Sequence, residues 1–238
     1  MRLLAIETAT EACSVALWID GALCERHELA PRRHAELVLP MVDAVLAEGG
    51  VAKRGLDAIG VGRGPGAFTG VRLAIAVAQG LALALDRPVV PVSTLAALAL
   101  GARTGAAAAA AAATVPILAL IDARMGEVYA GCFVPDAQGT VDALGAESLS
   151  SPRDLALPAT EAWRIAGTGW GSYREAIEPL LGQATIVHAD GAALPRAGAV
   201  ARLAARDLAR GLGVDPALAQ PVYLRDKVAL TLDEQARR

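Results

Sequence analysis

The chain is poor in aromatic residues and carries no excess of basic charge. Aromatic side chains make up 3% of its 238 residues, and the formal net charge is −3. Proteins that hold nucleic acid alone usually carry a basic excess, because neutralising phosphates supplies most of their affinity. We therefore do not expect this chain to hold nucleic acid by itself.

Cysteine and histidine are also scarce, and they form no familiar metal or catalytic pattern. Cys13, Cys24 and Cys132 have no CxxC spacing, which favours reduced thiols over a zinc site or a disulfide framework. No two of the three histidines have HxxxH or HExxH spacing, and no serine lies in a Gly-x-Ser-x-Gly motif. The sequence therefore predicts no catalytic residue and no metal site in this chain.

Long apolar runs without helix breakers or charges are missing as well. No stretch approaches the roughly 20 such residues that a membrane span requires, although 54% of the residues are hydrophobic. Glu7 interrupts the N-terminal apolar stretch too early for a signal peptide. We expect a cytoplasmic protein that does not enter a membrane.

Alternating and helical apolar spacings predict an α/β protein. The expected strands span residues 3–9, 13–19, 22–29, 56–61, 89–92, 117–122 and 127–133, with another beginning at Arg164. The expected helices span residues 34–48, 69–85, 172–181 and 196–213, with another beginning at Thr94. Pro40 lies inside the first helix pattern and predicts a kink or a late start there.

The second half of the chain repeats the order of elements of the first half. Residues 117–122 form an apolar strand that ends in an acid, so that Asp122 corresponds to Glu7. In both halves an alternating strand follows, and later a strand, a glycine turn and a helix. Two such units predict two lobes with a cleft between them.

A run of alanine, residues 106–113, marks the expected boundary between the lobes. We interpret it as an extension of a surface connection in preference to a functional helix, because loops accept insertions at little cost. The predicted division is a first lobe (1–104), a connection (105–114), a second lobe (115–214) and a C-terminal segment (215–238) that returns towards the first lobe.

The densest glycine segment, residues 62–70, lies between a strand and a helix. Glycines such as Gly64 and Gly66 permit positive φ and close approach of the backbone, and the N–H groups of such a turn could hold an anion. The loose dinucleotide fingerprint Gly62-x-Gly64-x-x-Ala67 is present, but its strand does not open a βαβ unit. A structural or interface turn is the favoured interpretation.

The helix predicted for residues 69–85 is apolar nearly all round and rich in alanine and glycine. A helix without a polar side must be covered on both sides. Either it lies inside one lobe, or one side packs on the sheet and the other on a partner protein. We favour a partner, because a two-layer lobe of this size leaves little else to cover the outer side.

Five segments together resemble the TsaB (YeaZ) family, over residues 1 to about 228. They are LAIETATEACSVAL at residues 4–17, GRGPGAFTGVR at 62–72, IDARMGEVY at 121–129, AGTGW at 166–170 and PVYLR at 221–225. The resemblance implies the actin/Hsp70/sugar-kinase-like (ASKHA) fold, an α/β fold with two RNase H-like lobes.

The resemblance also implies a role as a non-catalytic scaffold and activator subunit. Its partners would be a TsaD-like catalytic subunit and a TsaE-like ATPase, which together transfer threonylcarbamoyl from threonylcarbamoyl-AMP to N6 of the tRNA adenosine beside the anticodon. The chain would have no cofactor of its own, with ATP, ADP and metal on the partner subunits. It would form a homodimer when alone, meet tRNA only through the complex, and have no peptidase activity.

Two groups of residues are predicted to carry this role. The partner surface, with Ala78 and Ala82 facing outward, comprises His34, Val38, Met41, Val42, Val45, Arg72, Ile75, Ala78, Gln79 and Ala82. The group at the cleft between the lobes comprises Glu7, Thr8, Thr10, Gly64, Gly66 and Asp122. Its two carboxylates are candidates for binding a metal, for acid–base chemistry or for capping turns.

Two rival functions remain at this point. One is a free-standing nucleotide-dependent enzyme, such as an ATPase or kinase of the same superfamily, although residues 7–10 lack the glycine that lets a backbone approach phosphates. The other is an independent tRNA-binding module, which the acidic balance disfavours.

Overall fold

The first lobe of the computed structural model, which describes residues 1–103 and 114–225, is built on a five-stranded sheet. The strand order is β3-β2-β1-β4-β5, with an antiparallel meander β1–β3 and with β4 and β5 parallel to β1. The elements are β1 (Arg2–Glu7), β2 (Ala12–Ile19), β3 (Ala22–Leu29), α1 (His34–Glu48), β4 (Ala58–Gly62), α2 (Phe68–Leu85), β5 (Val89–Val92) and α3 (Thr94–Gly101).

The second lobe repeats this arrangement. Its strand order is β11-β10-β6-β7-β8, with β9 paired to β7. The elements are β6 (Ile117–Arg124), β7 (Glu127–Pro135), β8 (Val141–Ala143), β9 (Ser148–Ser150), β10 (Ala162–Ala166), α4 (Thr168–Ile177), β11 (Thr185–Asp190) and α5 (Ala197–Ala209). The two-lobed α/β fold predicted from the repeated order of elements is confirmed. The predicted alanine-rich connection lies outside the described residues, apart from its final residue.

Several helix boundaries differ from the sequence-based expectation; α5, for example, ends at Ala209, four residues before the expected end at residue 213. The helix α1 begins at His34 and continues through Pro40, so the late start does not occur. The helix α4 begins at Thr168, four residues before the expected start at residue 172, and includes Gly169. The absence of a side chain at Gly169 lets α4 approach β6, because a Cβ there would lie 2.9 Å from Leu120 Cβ.

Helices α3 and α5 form a layer between the two sheets. The helix α3 packs on β6 and β7 of the second lobe, whereas α5 packs on β1, β2 and β4 of the first lobe. The helix α5 therefore follows the last strand of the second lobe along the chain but covers the sheet of the first lobe. Helical periodicity identified the apolar side of α5 but not the sheet that covers it.

The alternating side chains of the central strands separate the core into layers. On β1, Leu3 and Ala5 contact the layer between the sheets, whereas Leu4 and Ile6 contact the layer beneath α1 and α2. A third layer lies between β6, β10 and α4. Strands covered on both faces must be apolar throughout, which explains the continuous apolar runs of β1 and β6.

After α5 the chain returns to the first lobe. Val214 exchanges two backbone hydrogen bonds with Val89, at 3.0 and 2.8 Å, and Gln79 Nε2 donates to Pro216 O and Ala219 O. We call residues 221–225 the C-terminal strap. The strap joins both lobes, because Val222 N donates to Arg63 O at 2.9 Å and Arg225 donates to Ala123 O at 3.0 Å.

Among the described residues, α2 is the helix long and apolar enough to cross a membrane by length and composition, with 18 residues and a mean hydropathy of 1.7. The expectation that no stretch comes near this length was therefore too strict. One side of α2 packs on β4 and β1 within the lobe core. Such packing is typical of a helix of a globular lobe.

Two glycine substitutions test the packing of α5 on the first sheet. Gly60→Ala should destabilise the protein by about 1–3 kcal/mol, because its Cβ would lie 2.9 Å from Ala204 Cβ on α5. Gly80→Ala, at an exposed position of α2 with no heavy atom of the same chain within 4 Å of the added Cβ, should stabilise the monomer by about 1 kcal/mol. Urea unfolding followed by circular dichroism measures both, and a stabilising Gly60→Ala would contradict this packing.

Candidate functional site

A cleft of about 930 Å³ opens between the lobes. Its walls are the turn after β1, the N-terminal ends of α1 and α2, the β6–β7 turn, the start of α4 and the C-terminal strap. Of the six residues predicted at the cleft, Thr10, Gly66 and Asp122 line it. Glu7, Thr8 and Gly64 lie behind its wall.

Glu7 is buried and does not reach the cleft, which corrects its predicted placement. Its Oε1 accepts a 2.7 Å hydrogen bond from Ala9 N, and its Oε2 accepts a 3.1 Å bond from Thr94 Oγ1. Gly62 makes room for the carboxyl group, because a Cβ there would overlap it. Glu7 therefore caps the turn after β1. Burial raises its pKa to about 7, even though the hydrogen bonds from Ala9 and Thr94 act in the opposite direction.

The glycine segment packs against the same turn. Ala67 N donates to Ala9 O at 2.7 Å, and Thr8 Oγ1 donates to Gly70 O at 2.7 Å. A Cβ at Gly66 would overlap Ala9, and Gly64 has a φ of +92°. The close approach that these glycines permit is therefore to the chain's own backbone, in agreement with the structural-turn interpretation.

Asp122 lines the cleft but is already paired. Its carboxylate accepts hydrogen bonds from Arg124 N at 2.8 Å and Tyr173 OH at 3.2 Å, and it forms a 3.2 Å ion pair with the Arg124 side chain. Because Glu7 lies behind the wall, the two acids do not face each other across the cleft. No group of three or more metal-binding side chains occurs within the described residues.

Thr10 differs from its neighbours in the cleft wall. Its residue surface is 7% exposed, and its Oγ1 is buried without a hydrogen-bond partner in the described structure. Only its carbonyl is used, as an acceptor for His34 Nε2 at 2.9 Å. An unpartnered buried hydroxyl is uncommon in proteins, because it loses its hydrogen bonds to water.

An arginine that contacts two neighbouring aromatic rings, whose centroids lie 5.7 Å apart, lines the cleft. The guanidinium of Arg72 is 3.4 Å from the ring centroid of Phe68 and 5.3 Å from that of Tyr223, and Arg72 Nε donates to Tyr223 OH at 2.6 Å. We call these three residues the aromatic–arginine cluster. The sequence analysis did not predict this cluster, because Tyr223 lies 151 residues from Arg72 along the chain. The one available signal was that Tyr223 belongs to segment 221–225, which resembles the TsaB (YeaZ) family.

The predicted partner surface needs correction, because seven of its ten residues are buried. Ala78 and Ala82 do not face outward. The buried residues all lie in the core layer beneath α1 and α2: Val38, Met41, Val42, Val45, Ile75, Ala78 and Ala82. Apolar residues at helical spacing mark the side of a helix that packs on the sheet. A partner surface chosen from this spacing therefore lies on the buried side of both helices. His34 and Gln79 bond to their own chain, and Arg72 lies at the cleft.

A different set of α1 and α2 residues is exposed. Leu39 is 51% exposed and Leu83 is 77% exposed. The small residues Ala44 of α1 and Ala76 and Gly80 of α2 are exposed as well. We call these five residues the outer α1–α2 face. The two helices contact each other on one side of the first sheet, so this face combines residues of both helices.

Fold and cleft together define a two-lobed α/β protein of the actin/Hsp70/sugar-kinase-like class. A model of the TsaD family, tRNA N6-adenosine threonylcarbamoyltransferase, matches residues 27–231. The tRNA threonylcarbamoyladenosine biosynthesis protein TsaB of Escherichia coli (strain K12) is 42% identical, covering 96% of each chain, and that of Haemophilus influenzae is 37% identical, covering 96% of this chain and 95% of that protein. The solved structure of YeaZ from Pseudomonas aeruginosa superposes with a TM-score of 0.84 at 46% identity, covering 94% of this chain and 99% of that chain.

The chain therefore belongs to the TsaB (YeaZ) family of tRNA threonylcarbamoyladenosine biosynthesis proteins. The resemblance found in its five sequence segments is confirmed.

The buried Glu7 carboxyl predicts a specific dependence of stability on pH. Its pKa is raised in the folded protein, so its contribution is fully present below about pH 4.5 and is lost as the pH rises through about 7. In Glu7→Gln, an uncharged mimic of the protonated acid, the free energy of unfolding should lack this decline, a difference on the order of 3 kcal/mol.

Urea unfolding between pH 4.5 and 8 measures the difference from wild type. Glu175→Gln, at an exposed position of α4, is the control and should follow the wild-type curve. If Glu7→Gln also followed that curve, Glu7 would not be a buried, protonated cap.

Proposed function

We propose that this chain is a scaffold and activator subunit of the complex that transfers threonylcarbamoyl from threonylcarbamoyl-AMP to N6 of the tRNA adenosine adjacent to the anticodon. The observation that carries the proposal is the outer α1–α2 face on a member of the TsaB family. The chemistry, with ATP, ADP and metal, resides on the partner subunits. The protein works in the cytoplasm and meets tRNA through the complex.

The outer α1–α2 face has the properties of a protein–protein contact. Between Arg72 and Asp86, α2 carries no charged residue, so covering this part of the face requires no desolvation of charge. On α1, the exposed Asp43 is already paired with Lys53 at 2.8 Å. Burial of apolar surface contributes roughly 25 cal/mol per Å² before the costs of association. The exposed Ala76 and Gly80 allow a second helix to approach closely.

A catalytic chain of similar architecture is the partner that fits this face. The match to the TsaD family over residues 27–231 includes both α1 and α2, so a TsaD-like subunit has counterparts of these helices. Two such helix pairs can pack as a bundle across the contact. A second copy of this chain offers the same face, so the chain forms a homodimer when alone and exchanges it for the TsaD-like subunit. A TsaE-like ATPase completes the complex.

The described cleft gives little support to the rival function of a free-standing ATPase or kinase. The N–H of Ala67 is already bonded to Ala9 O, and the carboxyl of Glu7 caps a turn. Both groups are therefore unavailable to position the phosphates and metal of a transferred group. Phosphate release from ATP and magnesium by the purified chain would revive this rival.

Leu83→Glu tests the outer α1–α2 face. Leu83 is 77% exposed, so the substitution should leave the monomer folded. In an association the new carboxylate would be desolvated without a partner, at a cost of several kcal/mol. Light scattering should therefore show a monomer, pull-down with the TsaD-like subunit should fail, and tRNA modification by the reconstituted complex should fall at least tenfold.

Leu144→Glu is the matched control, because Leu144 is 44% exposed on the second lobe. This variant should dimerise, bind the TsaD-like subunit and support modification as wild type does. A folded Leu83→Glu protein that still binds the TsaD-like subunit would place the contact elsewhere.

A further inference from the structure

We infer that the aromatic–arginine cluster, Phe68, Arg72 and Tyr223, binds a carboxylate of the TsaD-like subunit and thereby favours that subunit over a second copy of this chain. The inference rests on the proposed function, because it names a further part of the same partner contact. It adds a charged contact and a residue of the C-terminal strap to a surface otherwise made of two helices.

The cluster continues the outer α1–α2 face along α2. Four exposed residues of this helix follow one another at a spacing of four: Phe68, Arg72, Ala76 and Gly80. Residues four apart are neighbours on one side of a helix. A subunit that covers Ala76 and Gly80 therefore reaches Arg72, which lies about 6 Å from Ala76 along the helix axis.

Arg72 offers a positive charge that its own chain leaves unpaired. Its Nε donates to Tyr223 OH at 2.6 Å, whereas no hydrogen bond or ion pair within the described residues uses its two Nη groups. Its guanidinium also lies 3.4 Å from the ring centroid of Phe68, so two contacts restrict the side chain. A planar guanidinium with two available Nη groups matches the two oxygens of a carboxylate, and little side-chain freedom is lost on binding.

The cluster has the composition of residues that carry much of the binding energy in protein contacts. Tyrosine and arginine are enriched among such residues, and aromatic residues are enriched in contact surfaces generally. The chain has only two phenylalanines and three tyrosines, yet Phe68 is 50% exposed and Tyr223 is 44% exposed at the same place. Two exposed rings beside an unpaired arginine therefore indicate a contact surface.

A groove beside the cluster provides space for an apolar side chain of the same partner. This cavity of about 300 Å³ lies between α2 and residues 219–223, with Ile75 and Gln79 on one wall and Pro221 on the other. Gln79 holds the second wall on α2, because its Nε2 donates to Ala219 O at 3.1 Å. Arg72 is the one charged residue that lines the groove among the described residues. An apolar side chain next to the carboxylate can therefore enter it without desolvating a further charge.

The proposed exchange of partners requires a contact that the homodimer lacks. The exposed apolar residues of α1 and α2 are open to a second copy and to the TsaD-like subunit alike, so their burial does not choose between the two. Specificity is a difference between two affinities. A second copy brings a second unpaired Arg72 to a symmetric contact, whereas a carboxylate of the TsaD-like subunit neutralises the first.

Arg72→Gln tests this charged contact, by calorimetry with the TsaD-like subunit and by analytical ultracentrifugation of the chain alone. The affinity for the TsaD-like subunit should fall roughly ten- to a hundredfold, whereas the dissociation constant of the homodimer should change less than about threefold. Added salt should weaken the wild-type association with the TsaD-like subunit more than that of Arg72→Gln, because the variant lacks the charge.

Two further variants serve as a graded change and as a control. Tyr223→Phe keeps the ring and removes the hydroxyl that orients Arg72, so it should weaken association with the TsaD-like subunit by a smaller factor. Arg202→Gln is the matched control, because the exposed Arg202 lies on α5 with its guanidinium 5.8 Å from the Trp18 ring. The helices α5 and α2 pack on opposite sides of the first sheet. Arg202→Gln should therefore associate as wild type does, and circular dichroism should show all three variants folded.

An unchanged affinity of folded Arg72→Gln for the TsaD-like subunit would overturn the inference. Equal losses in both associations would overturn it as well and would identify a second copy as the source of the carboxylate. The exposed Asp86 at the C-terminal end of α2 would then be that group, and Asp86→Asn should weaken the homodimer to the same extent. Failure of the proposed function is separate, because Leu83→Glu tests the apolar face and Arg72→Gln tests the charged contact.

Discussion

The close packing of α3 and α5 between the two sheets is the constraint on which the rest of the structure depends. Each helix follows the last strand of its own lobe and packs on the sheet of the other lobe. Neither lobe can therefore bury its inner sheet face without the other. Small residues make this possible: Ala204 on α5 lies so near β4 that Gly60 has no space for a side chain. The shape of the cleft thus follows from a shared core.

Polar contacts at two further places add to this connection between the lobes. On α5, Arg206 donates to Thr140 Oγ1 at 2.9 Å and Val141 O at 2.8 Å, both in the second lobe. Beside the cleft, the strap residues Val222 and Arg225 bond to opposite lobes. In both connections an arginine side chain donates to a backbone carbonyl, Val141 O or Ala123 O. Each arginine therefore holds a segment of the main chain in place. The cleft therefore lies between lobes connected by a helical layer, a side-chain network and the strap.

Local patterns predicted the elements well, because apolar spacing and turn residues are local properties of a chain. The positive φ of Asp20 and Gly21, for example, lies in the turn between the strands expected for residues 13–19 and 22–29. What could not be predicted was which surface covers each element. Ala78 and Leu83 are both apolar residues of α2, yet one is fully buried and the other is 77% exposed. That difference arises from the direction in which α2 lies on β4, which no local pattern contains.

The cleft gives a second example of a feature that local sequence patterns do not predict. The sequence pointed to Glu7 because it ends an apolar strand, but the acid turns inward to cap the chain, towards the space left by Gly62. Burial then favours its neutral form, since desolvation of a carboxylate outweighs the hydrogen bonds that it accepts. The charged side chains that do line the cleft come from positions far apart in sequence, which the tertiary fold brings together: Glu11, Arg32, Arg72, Asp122, Arg124 and Arg225.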